Sequence, residues 1–413
     1  MKKGRGRAPR LASTVLAPSD LVGSRPKARS QLSVGGRVLA CPAPEHLVLA
    51  DALATLSVRL THAFEGAVGD LIEVSGTWQE PELVGARVTD RAPAPTPTGD
   101  GEFARLAWQG VGPRLVERAL ALRAVRAFFE ARGFVEVTTP VRVPTPGLDA
   151  NVNALRCERD WLITSPEHHM KRLLVGGLPR VFQLTPCFRA DESGAWHEPE
   201  FAMLEWYRAF SDHEQIMHDT ELLVFEVTRS LTGGTSLEHA GRRIDVTPPF
   251  RRVSVAAAFR QYADGADALA LAETDETRYF ELLVDRVEPG LARSKKPVFL
   301  TDYPRSQAAL ARPSPKNPRT AQRFELYVGG VELSNGFSEL TDAREQRRRF
   351  QAERQHRRAA RQPVYALDER FLGALTEGMP RSGGNALGLD RLIMLVCGAR
   401  TIAEVMAFPD ARR

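Results

Sequence analysis

The 413-residue sequence contains 43% hydrophobic and 26% charged residues, the balance of an ordinary globular protein. This length is enough for two domains with a large hydrophobic core. No segment approaches the run of about 20 apolar residues that crosses a bilayer, and no signal-peptide pattern follows the basic start, so we expect neither a membrane protein nor a secreted one. The four cysteines form no C-x-x-C pair, which argues against a disulfide framework and fits a cytoplasmic protein.

The net charge of +5 is unevenly distributed along the chain. Residues 1–30 contain eight Lys or Arg residues and one acidic residue, so the remainder carries a net charge of about −2. This composition predicts a disordered basic tail over residues 1–30. Such a tail either makes weak, non-specific contacts with RNA or is simply solvated.

The next segment, residues 31–92, is predicted to be a small β domain. Short β-prone runs alternate with Gly, Pro and Asp at the spacing of strands in a barrel. A five-stranded barrel of the OB type and an unspecialised β appendage both fit this pattern. The Pro- and Gly-rich segment that follows predicts a linker over residues 93–112.

From residue 113 the pattern predicts one α+β domain that extends to residue 413. A helix should end near Gly133, and a later strand–turn–helix should have Ser165 as its N-cap and Pro166 as its first helical residue. Strands over 323–342 should turn at Gly329-Gly330. The remaining helices are predicted over residues 213–231, 273–288, 343–361 and 368–377, with an apolar helix after Gly388. This mixed order indicates a largely antiparallel sheet with helices around it.

The segment from Phe182 to Phe210 is predicted to be two apolar strands joined by a polar loop. In the second strand, side-chain alternation would put Met203, Glu205 and Tyr207 on one face. A carboxylate among such neighbours is costly unless a cation lies opposite it. That cation would be a core Lys or Arg, or the ammonium of a substrate.

Other charged residues also interrupt apolar segments, and they include both acids and arginines. A pocket that combined them would suit a ligand with a cationic and an anionic end, since Arg binds phosphate oxygens in pairs and a carboxylate beside phosphates holds Mg²⁺. Taken singly, each charge equally fits a structural ion pair. The residues concerned are Glu167, Glu205, Glu332, Glu339, Arg189 and Arg391.

Three further patterns leave alternatives open. On a regular strand Glu332 would face away from Asn335 and Glu339, unless a bulge near Gly336 resets the register. The glycines of GGNALG would admit a ligand or serve helix–sheet packing, and they do not form a P-loop. The arginine-rich helix over 343–361 would be a solvated face or a docking surface for an acidic partner. His168, His169 and His197 lack a further ligand at zinc spacing, so no zinc site is expected.

Several of these segments together resemble class II aminoacyl-tRNA synthetases. FRADESGAWHEPEFAMLEWY resembles the second signature motif, especially of the lysyl type, GNALGLDRLIML the third and GFVEVTTPVRVP the first. SPEHHMKRLLVGGLPRVFQL and VELSNGFSELTDAREQRRRF look most like elongation factor P–(R)-β-lysine ligases, which are paralogues of lysyl-tRNA synthetase. The resemblance covers about residues 113–413. It implies an antiparallel sheet flanked by helices, and a homodimer formed through the first motif around Pro140.

The resemblance also implies roles for individual residues. Arg189 and Arg391 would be catalytic, gripping the α- and γ-phosphates of ATP, and Glu332 and Glu339 would hold Mg²⁺. The implied ATP-binding residues are Phe188 (near the adenine), Arg189, Ala190, Asp191, Glu198, Glu332, Leu333, Gly388 and Arg391. The implied amino-acid-binding residues are Ser165, Pro166, Glu167, Glu205, Tyr207, Asn335, Glu339 (at the amine) and Ala386.

The ATP loop departs from the family pattern at several positions. Ala190 and Glu198 stand where Asn is usual, and Trp196 stands where a basic residue is usual. Asp191 replaces a Glu that reads the adenine amino group, and its shorter side chain would make that contact through a water.

The resemblance implies activation of (R)-β-lysine, or lysine, by ATP and its transfer to a lysine side chain of elongation factor P. Ala386 favours this reaction, since lysyl-tRNA synthetases usually carry Gly there and one methyl group shifts discrimination by about 1–3 kcal/mol. The OB-like segment favours a lysyl-tRNA synthetase instead, although Phe64 and Trp78 are its only aromatic residues. A non-catalytic paralogue that binds RNA or a translation factor is the third alternative.

Overall fold

The computed structural model describes residues 15–24, 26–147, 152–308 and 310–412. The chain divides into two compact units, residues 1–116 and 117–413. Among the described residues, no helix combines the length and apolar character that crossing a membrane requires.

Five strands of the first unit form a closed barrel in the order β1-β2-β3-β5-β4. Alternate side chains of each strand point inward, and Val74, Trp78 and Leu83 are among those that form the barrel core. Trp78 is therefore a core residue and not a free stacking surface. The strands are β1 (Gln31–Ala43), β2 (His46–Ala50), β3 (Thr55–Leu60), β4 (Leu71–Gln79) and β5 (Glu82–Ala92).

Two segments of this unit are more ordered than their composition predicts. Within the expected tail, helix α1 (Pro18–Ser24) places Leu21 in the barrel core, because Leu21 gives the segment an apolar side chain to bury. Residues 1–14 lie outside the described residues. Within the expected linker, Thr96 donates to the carbonyl of Val68, and residues Ala104–Trp108 form a short π-helical turn.

The second unit contains the remaining strands and helices. Its strands are β6 (Val135–Glu136), β7 (Arg142–Val143), β8 (Arg156–Cys157), β9 (Asp160–Leu162), β10 (Arg180–Phe188), β11 (Glu200–Ala209), β12 (Ser236–His239), β13 (Arg242–Asp245), β14 (Arg251–Ser254), β15 (Val298–Thr301), β16 (Arg323–Val328), β17 (Val331–Ser338) and β18 (Ser382–Gly388). Its helices, with α2 beginning in the first unit, are α2 (Val111–Glu130), α3 (Glu167–Val175), α4 (His213–Thr232), α5 (Val255–Tyr262), α6 (Ala268–Thr274), α7 (Glu276–Leu282), α8 (Glu288–Ala292), α9 (Ala343–Ala359), α10 (Glu369–Gly378) and α11 (Leu389–Val396).

An eight-stranded sheet organises this unit, in the order β14-β15-β16-β17-β18-β11-β10-β6. The outermost pairs, β14–β15 and β10–β6, are parallel, and the inner pairs are antiparallel. The predicted mixed, largely antiparallel sheet is thus confirmed. The hairpin of β16 and β17 turns at Gly329 and Gly330, as predicted, and both glycines have the positive φ that such a turn requires.

The two faces of β11 have different neighbours. Leu204 and Trp206 belong to the main core, which also contains residues of α2, α4 and α11. Met203, Glu205 and Tyr207 are buried on the opposite face, as side-chain alternation predicts. Tyr207 packs there in a separate cluster with residues of α3, α9 and α10, including Met170, and the candidate site lies on this face.

Helix α3 begins one residue later than predicted. Pro166 is its N-cap and Glu167 its first residue. Ser165 still satisfies a terminal donor, since its Oγ accepts a 3.0 Å hydrogen bond from the amide of Glu167. The hydroxyl of Ser165 also donates to Glu205.

Candidate active site

A cavity of about 900 Å³ opens on the Glu205 face of the sheet in the second unit. Predicted site residues from four separate segments line it. The first segment contributes Ser165 and Glu167, and the second contributes Arg189, Glu198 and Tyr207. The third contributes Glu332, Leu333 and Asn335, and the fourth contributes Ala386, Gly388 and Arg391.

A buried cluster of carboxylates forms one side of the site. Lys171 forms an ion pair with Glu167 one helical turn away, and its Nζ lies 2.5 Å from Oε2 of Glu339. Glu205 accepts hydrogen bonds from the hydroxyls of Ser165, at 2.5 Å, and Tyr207, at 3.0 Å. A core lysine, one of the expected alternatives, thus lies in the same cluster, but its ion pairs are with Glu167 and Glu339 and not with Glu205.

The cluster holds one lysine against three carboxylates, and burial dominates its electrostatics. Burial, reinforced by the charge of Glu167, raises the pKa of Glu205 to about 8. Burial also raises the pKa of Glu339, although the ammonium of Lys171 opposes this shift. Burial lowers the pKa of Lys171, but the charges of Glu167 and Glu339 outweigh it and the net shift is upward. Such a cluster is suited to receive an additional cation.

Strand β18 keeps the space beside this cluster open. Gly384 lies opposite Tyr207, and Ala386 lies opposite Glu205. A Cβ atom at Gly384 would lie 2.3 Å from the ring of Tyr207 and 2.7 Å from Oε1 of Glu339. The glycine is therefore required by this close approach.

Arg189 lines the cavity directly after the end of β10. Its guanidinium lies 5.2 Å from the ring centre of Phe201, and Glu192 is its ion-pair partner at 3.8 Å. Within the described part of the chain, the buried Nε of Arg189 has no hydrogen-bond partner. This donor is available to an anionic ligand.

The aromatic residue in this wall is Phe201 and not Phe188. The two residues flank the loop, and the resemblance implied Phe188. Strand alternation indicates Phe201, since residues 201, 203 and 205 lie on the same face of β11.

Arg391 connects the loop to strand β17. Its guanidinium donates to the carbonyls of Trp196, at 3.1 Å, and Glu332, at 2.8 Å, and to Nε2 of His197, at 2.7 Å. Burial, and then the charge of Arg391, lower the pKa of His197, so this imidazole is neutral and accepts the bond. Trp196, which stands where a basic residue was expected, contributes its backbone carbonyl to this arrangement.

The other loop residues that depart from the family pattern are Ala190, Asp191 and Glu198. Ala190 forms a backbone bridge with Asn153, and Asp191 has a φ of 65°, in the left-handed region. Glu198 accepts a 2.8 Å hydrogen bond from the amide of Asp410. Ala190 and Asp191 do not line the cavity, whereas Glu198 does.

A comparison with known protein families decides the classification. The profile of the class II tRNA synthetases (D, K and N) matches residues 103–412 of the chain. The chain belongs to this family. A class II synthetase domain activates an amino acid with ATP, so the family makes this chain an ATP-dependent ligase in general terms.

The two predicted metal ligands have different neighbours in the synthetase domain. Glu332 and Glu339 are seven residues apart along one extended segment, which corresponds to about 20 Å. Glu339 neighbours Lys171, whereas the pKa of Glu332 is raised by burial and then by the charge of Glu325. The two predicted ligands therefore have different neighbours, and a shared metal site stays a prediction.

Glu325, which the sequence analysis missed, lies near Glu332, and its oxygens pair with Arg323 and accept hydrogen bonds from the hydroxyls of Tyr303 and Tyr327. The two carboxylates interact across the β16–β17 hairpin and both line the cavity. Mg²⁺ is commonly held by one or two carboxylates together with phosphate oxygens, and such an ion would neutralise phosphate charge here. The described residues contain no group of three or more His, Cys, Asp or Glu side chains suited to a metal.

The bulge that shapes this hairpin lies upstream of the predicted position. Leu326 pairs with Ser334 and Tyr327 pairs with Glu332, so the extra residue is Leu333 and not one near Gly336. The bulge resets the alternation, and Glu332 and Asn335 both line the cavity.

The arginine-rich helix α9 is neither a fully solvated face nor a uniform docking surface. Arg357 is buried and donates to the carbonyl of Pro363 at 2.7 Å and to Oδ1 of Asn153 at 2.7 Å. Arg349 lines the cavity and donates to the carbonyls of Ala308 and Ala311. At these positions the guanidinium groups bind loop carbonyls instead of an external partner.

Proposed function

We propose that the chain activates (R)-β-lysine, or lysine, as an aminoacyl-adenylate. The observation that carries this proposal is a buried carboxylate cluster directly beside a cavity that Glu167, Arg189 and Arg391 line. Glu205 and Glu339 would receive the ammonium of the amino-acid side chain, and Arg189 and Arg391 would receive the phosphates of ATP.

In the proposed reaction, the substrate carboxylate attacks the α-phosphorus of ATP and pyrophosphate leaves. Arg189 would stabilise the charge that develops on the α-phosphate, and its buried Nε is a donor available for this purpose. The carboxylate cluster would orient the amino acid so that its carboxylate approaches in line. The activated acyl group then passes to a nucleophile.

We further propose that the acceptor is a lysine amine of elongation factor P. Ala386 supports this choice, because its methyl group lies directly beside Glu205 on the neighbouring strand and narrows the amino-acid pocket. The position of Trp78 in the barrel core also supports it, since this leaves few aromatic side chains in the barrel for stacking on an anticodon.

A lysyl-tRNA synthetase is the second candidate, and the closed five-stranded barrel favours it. We interpret this barrel as an OB fold, a fold that commonly binds oligonucleotides. In either case we propose a cytoplasmic homodimer that associates through the segment around Pro140, with weak RNA contacts from the basic N-terminal tail. Light scattering of the purified protein measures the dimer.

ATP–pyrophosphate exchange tests the proposed function. Exchange with (R)-β-lysine well above that with lysine, followed by mass spectrometric detection of modified elongation factor P, is the expected result. Efficient charging of lysine tRNA would support the second candidate instead. Absence of exchange with either amino acid would contradict both and favour a non-catalytic paralogue.

A further inference from the structure

Among the described residues, Lys171 is the only cationic side chain in the carboxylate cluster that Glu167, Glu205 and Glu339 form. It lies one turn after Glu167 on α3 and is 1% exposed. Its Nζ contacts Glu167 and Glu339, and the rings of Phe337 and Phe371 lie 5.1 Å and 6.0 Å from it. A buried ammonium in such surroundings requires both carboxylates, so the three groups hold one another in place.

The contacts of Lys171 leave particular oxygens to a ligand. Lys171 engages Oε2 of Glu339, whereas Oε1 of the same carboxylate has no hydrogen-bond partner among the described residues. This oxygen is completely buried, and it lies within 2.7 Å of the position that a Cβ of Gly384 would occupy. Gly384 lines the cavity, so the oxygen lies directly behind the cavity wall.

Glu205 completes the set with a different environment. Its hydrogen-bond donors are the neutral hydroxyls of Ser165 and Tyr207, and it does not pair directly with Lys171. The cluster therefore contains two carboxylates bridged by an internal ammonium and one that is held only by neutral donors. When all three carboxylates are ionised, the single ammonium of Lys171 does not balance their negative charge.

We propose that Lys171 is a positioning residue for amino-acid recognition, which rests on the proposed function. By bridging Glu167 and Glu339, it orients Oε1 of Glu339 and, together with Glu205, leaves two acceptors for one substrate ammonium. Lys171 also limits the negative charge of the cluster, so the pocket takes a primary ammonium and not a larger, more highly charged group. Lys171 would thus influence substrate specificity without contacting the substrate.

The test compares Lys171→Met with the wild type in ATP–pyrophosphate exchange. The KM for the amino acid should rise at least about tenfold, whereas the KM for ATP should change less than about twofold, because the phosphate side is unaffected. Lys171→Arg should give an intermediate KM, since it keeps the charge but not the geometry. Arg172→Met, on the same helix and outside the cavity wall, is the matched control.

Two readouts separate positioning from a merely structural role. Without the ammonium, the pKa values of the carboxylates rise further, so the amino-acid KM of Lys171→Met should fall more steeply than that of the wild type as the pH rises from 6.5 to about 9. In the double variant Lys171→Met/Glu339→Gln, the loss of affinity should be smaller than the sum of the two single losses, because Lys171 acts through Glu339. Strictly additive losses in the double variant would overturn the proposal.

Wild-type exchange decides the proposed function separately from the role of Lys171. Given wild-type exchange, an unchanged amino-acid KM in both Lys171 variants overturns the positioning role alone. If the wild type shows no exchange, the proposed function fails. Calorimetric titration with lysine then replaces the exchange assay as the test of the role of Lys171. Weaker lysine binding to Lys171→Met would then still support the positioning role, and equal or absent binding would overturn it. If Lys171→Met does not fold, Lys171→Arg carries the same comparison.

Discussion

Glu205 and Ala386 lie directly opposite each other on the adjacent antiparallel strands β11 and β18. The same row continues through Asn335 on β17 to Glu325 on β16. With about 4.8 Å between neighbouring strands, the row spans about 14 Å. It thus separates the buried carboxylate of Glu205 from the carboxylate of Glu325 beside Glu332, and Ala386, Asn335 and Glu325 of this row line the cavity.

Removing the charge of Glu205 should weaken amino-acid binding selectively. We expect Glu205→Gln to raise the amino-acid KM by about 10- to 100-fold, and Tyr207→Phe by about fivefold, because each removes one hydrogen-bonding or ionic contact. The KM for ATP should remain near the wild-type value. Steady-state exchange kinetics measure all three quantities, with the exposed Glu130→Gln as a control. An equal effect on both KM values would contradict this assignment.

The ligand-free protein should lose stability with rising pH through Glu205. Its pKa is raised from an ordinary value of 4.5 to about 8, so its contribution is fully present below about pH 4.5 and is lost as the pH rises through about 8. In this range the contribution falls by about 1.4 kcal/mol per pH unit. Urea denaturation of the wild type and Glu205→Gln at several pH values measures this contribution, as the difference in the free energy of unfolding between the two proteins.

Lysine should oppose this pH effect, because its ammonium favours the ionised carboxylate. The increase in melting temperature that lysine produces should therefore grow from pH 6.5 to about 8 in the wild type. The same increase should be smaller and nearly independent of pH in Glu205→Gln. A pH-independent effect in both proteins would show that the ammonium does not bind at Glu205.

Adding one methyl group at Gly384 should block the amino-acid pocket. The new Cβ would lie 2.3 Å from the ring of Tyr207, so Gly384→Ala must displace that side chain. We expect kcat/KM for the amino acid to fall by about 100-fold, the effect of a displacement of about 1 Å in a binding site. Exchange kinetics measure this change.

Gly373→Ala provides the matched control for this substitution. Gly373 lies in helix α10, and a Cβ there would have no atom within 4 Å. Activity should be unchanged, and the free energy of unfolding should rise by up to about 1 kcal/mol, since Ala favours a helix over Gly. Similar losses of activity in both variants would indicate a general sensitivity to glycine replacement.

Arg391 should not tolerate replacement by lysine. Its guanidinium reaches three acceptors on two segments, the loop residues Trp196 and His197 and the strand residue Glu332. An ammonium cannot span them, so Arg391→Lys should lower kcat/KM for ATP by about 10- to 100-fold. Exchange kinetics at varied ATP measure the effect, and the exposed Arg400→Lys should be neutral.

The order and type of the main elements follow from local features of the sequence. Alternation predicted the face of β11 that carries Met203, Glu205 and Tyr207, and the Gly329-Gly330 pair marked the turn between β16 and β17. The motifs around Arg189 and Arg391 indicated the family to which the chain belongs. These features depend on residues close together in the chain, so the sequence alone determines them.

Only the tertiary structure decided which charges share a site. Lys171 resembles any lysine on a helix, and its burial between Glu167 and Glu339 depends on the packing of α3 against β10, β11 and α10. A single bulge at Leu333 brings Glu332 and Asn335 into one cavity, and strand pairing joins Glu325 to them. Register and burial arise from contacts between distant segments, and they set both the distances between charged groups and the dielectric around them.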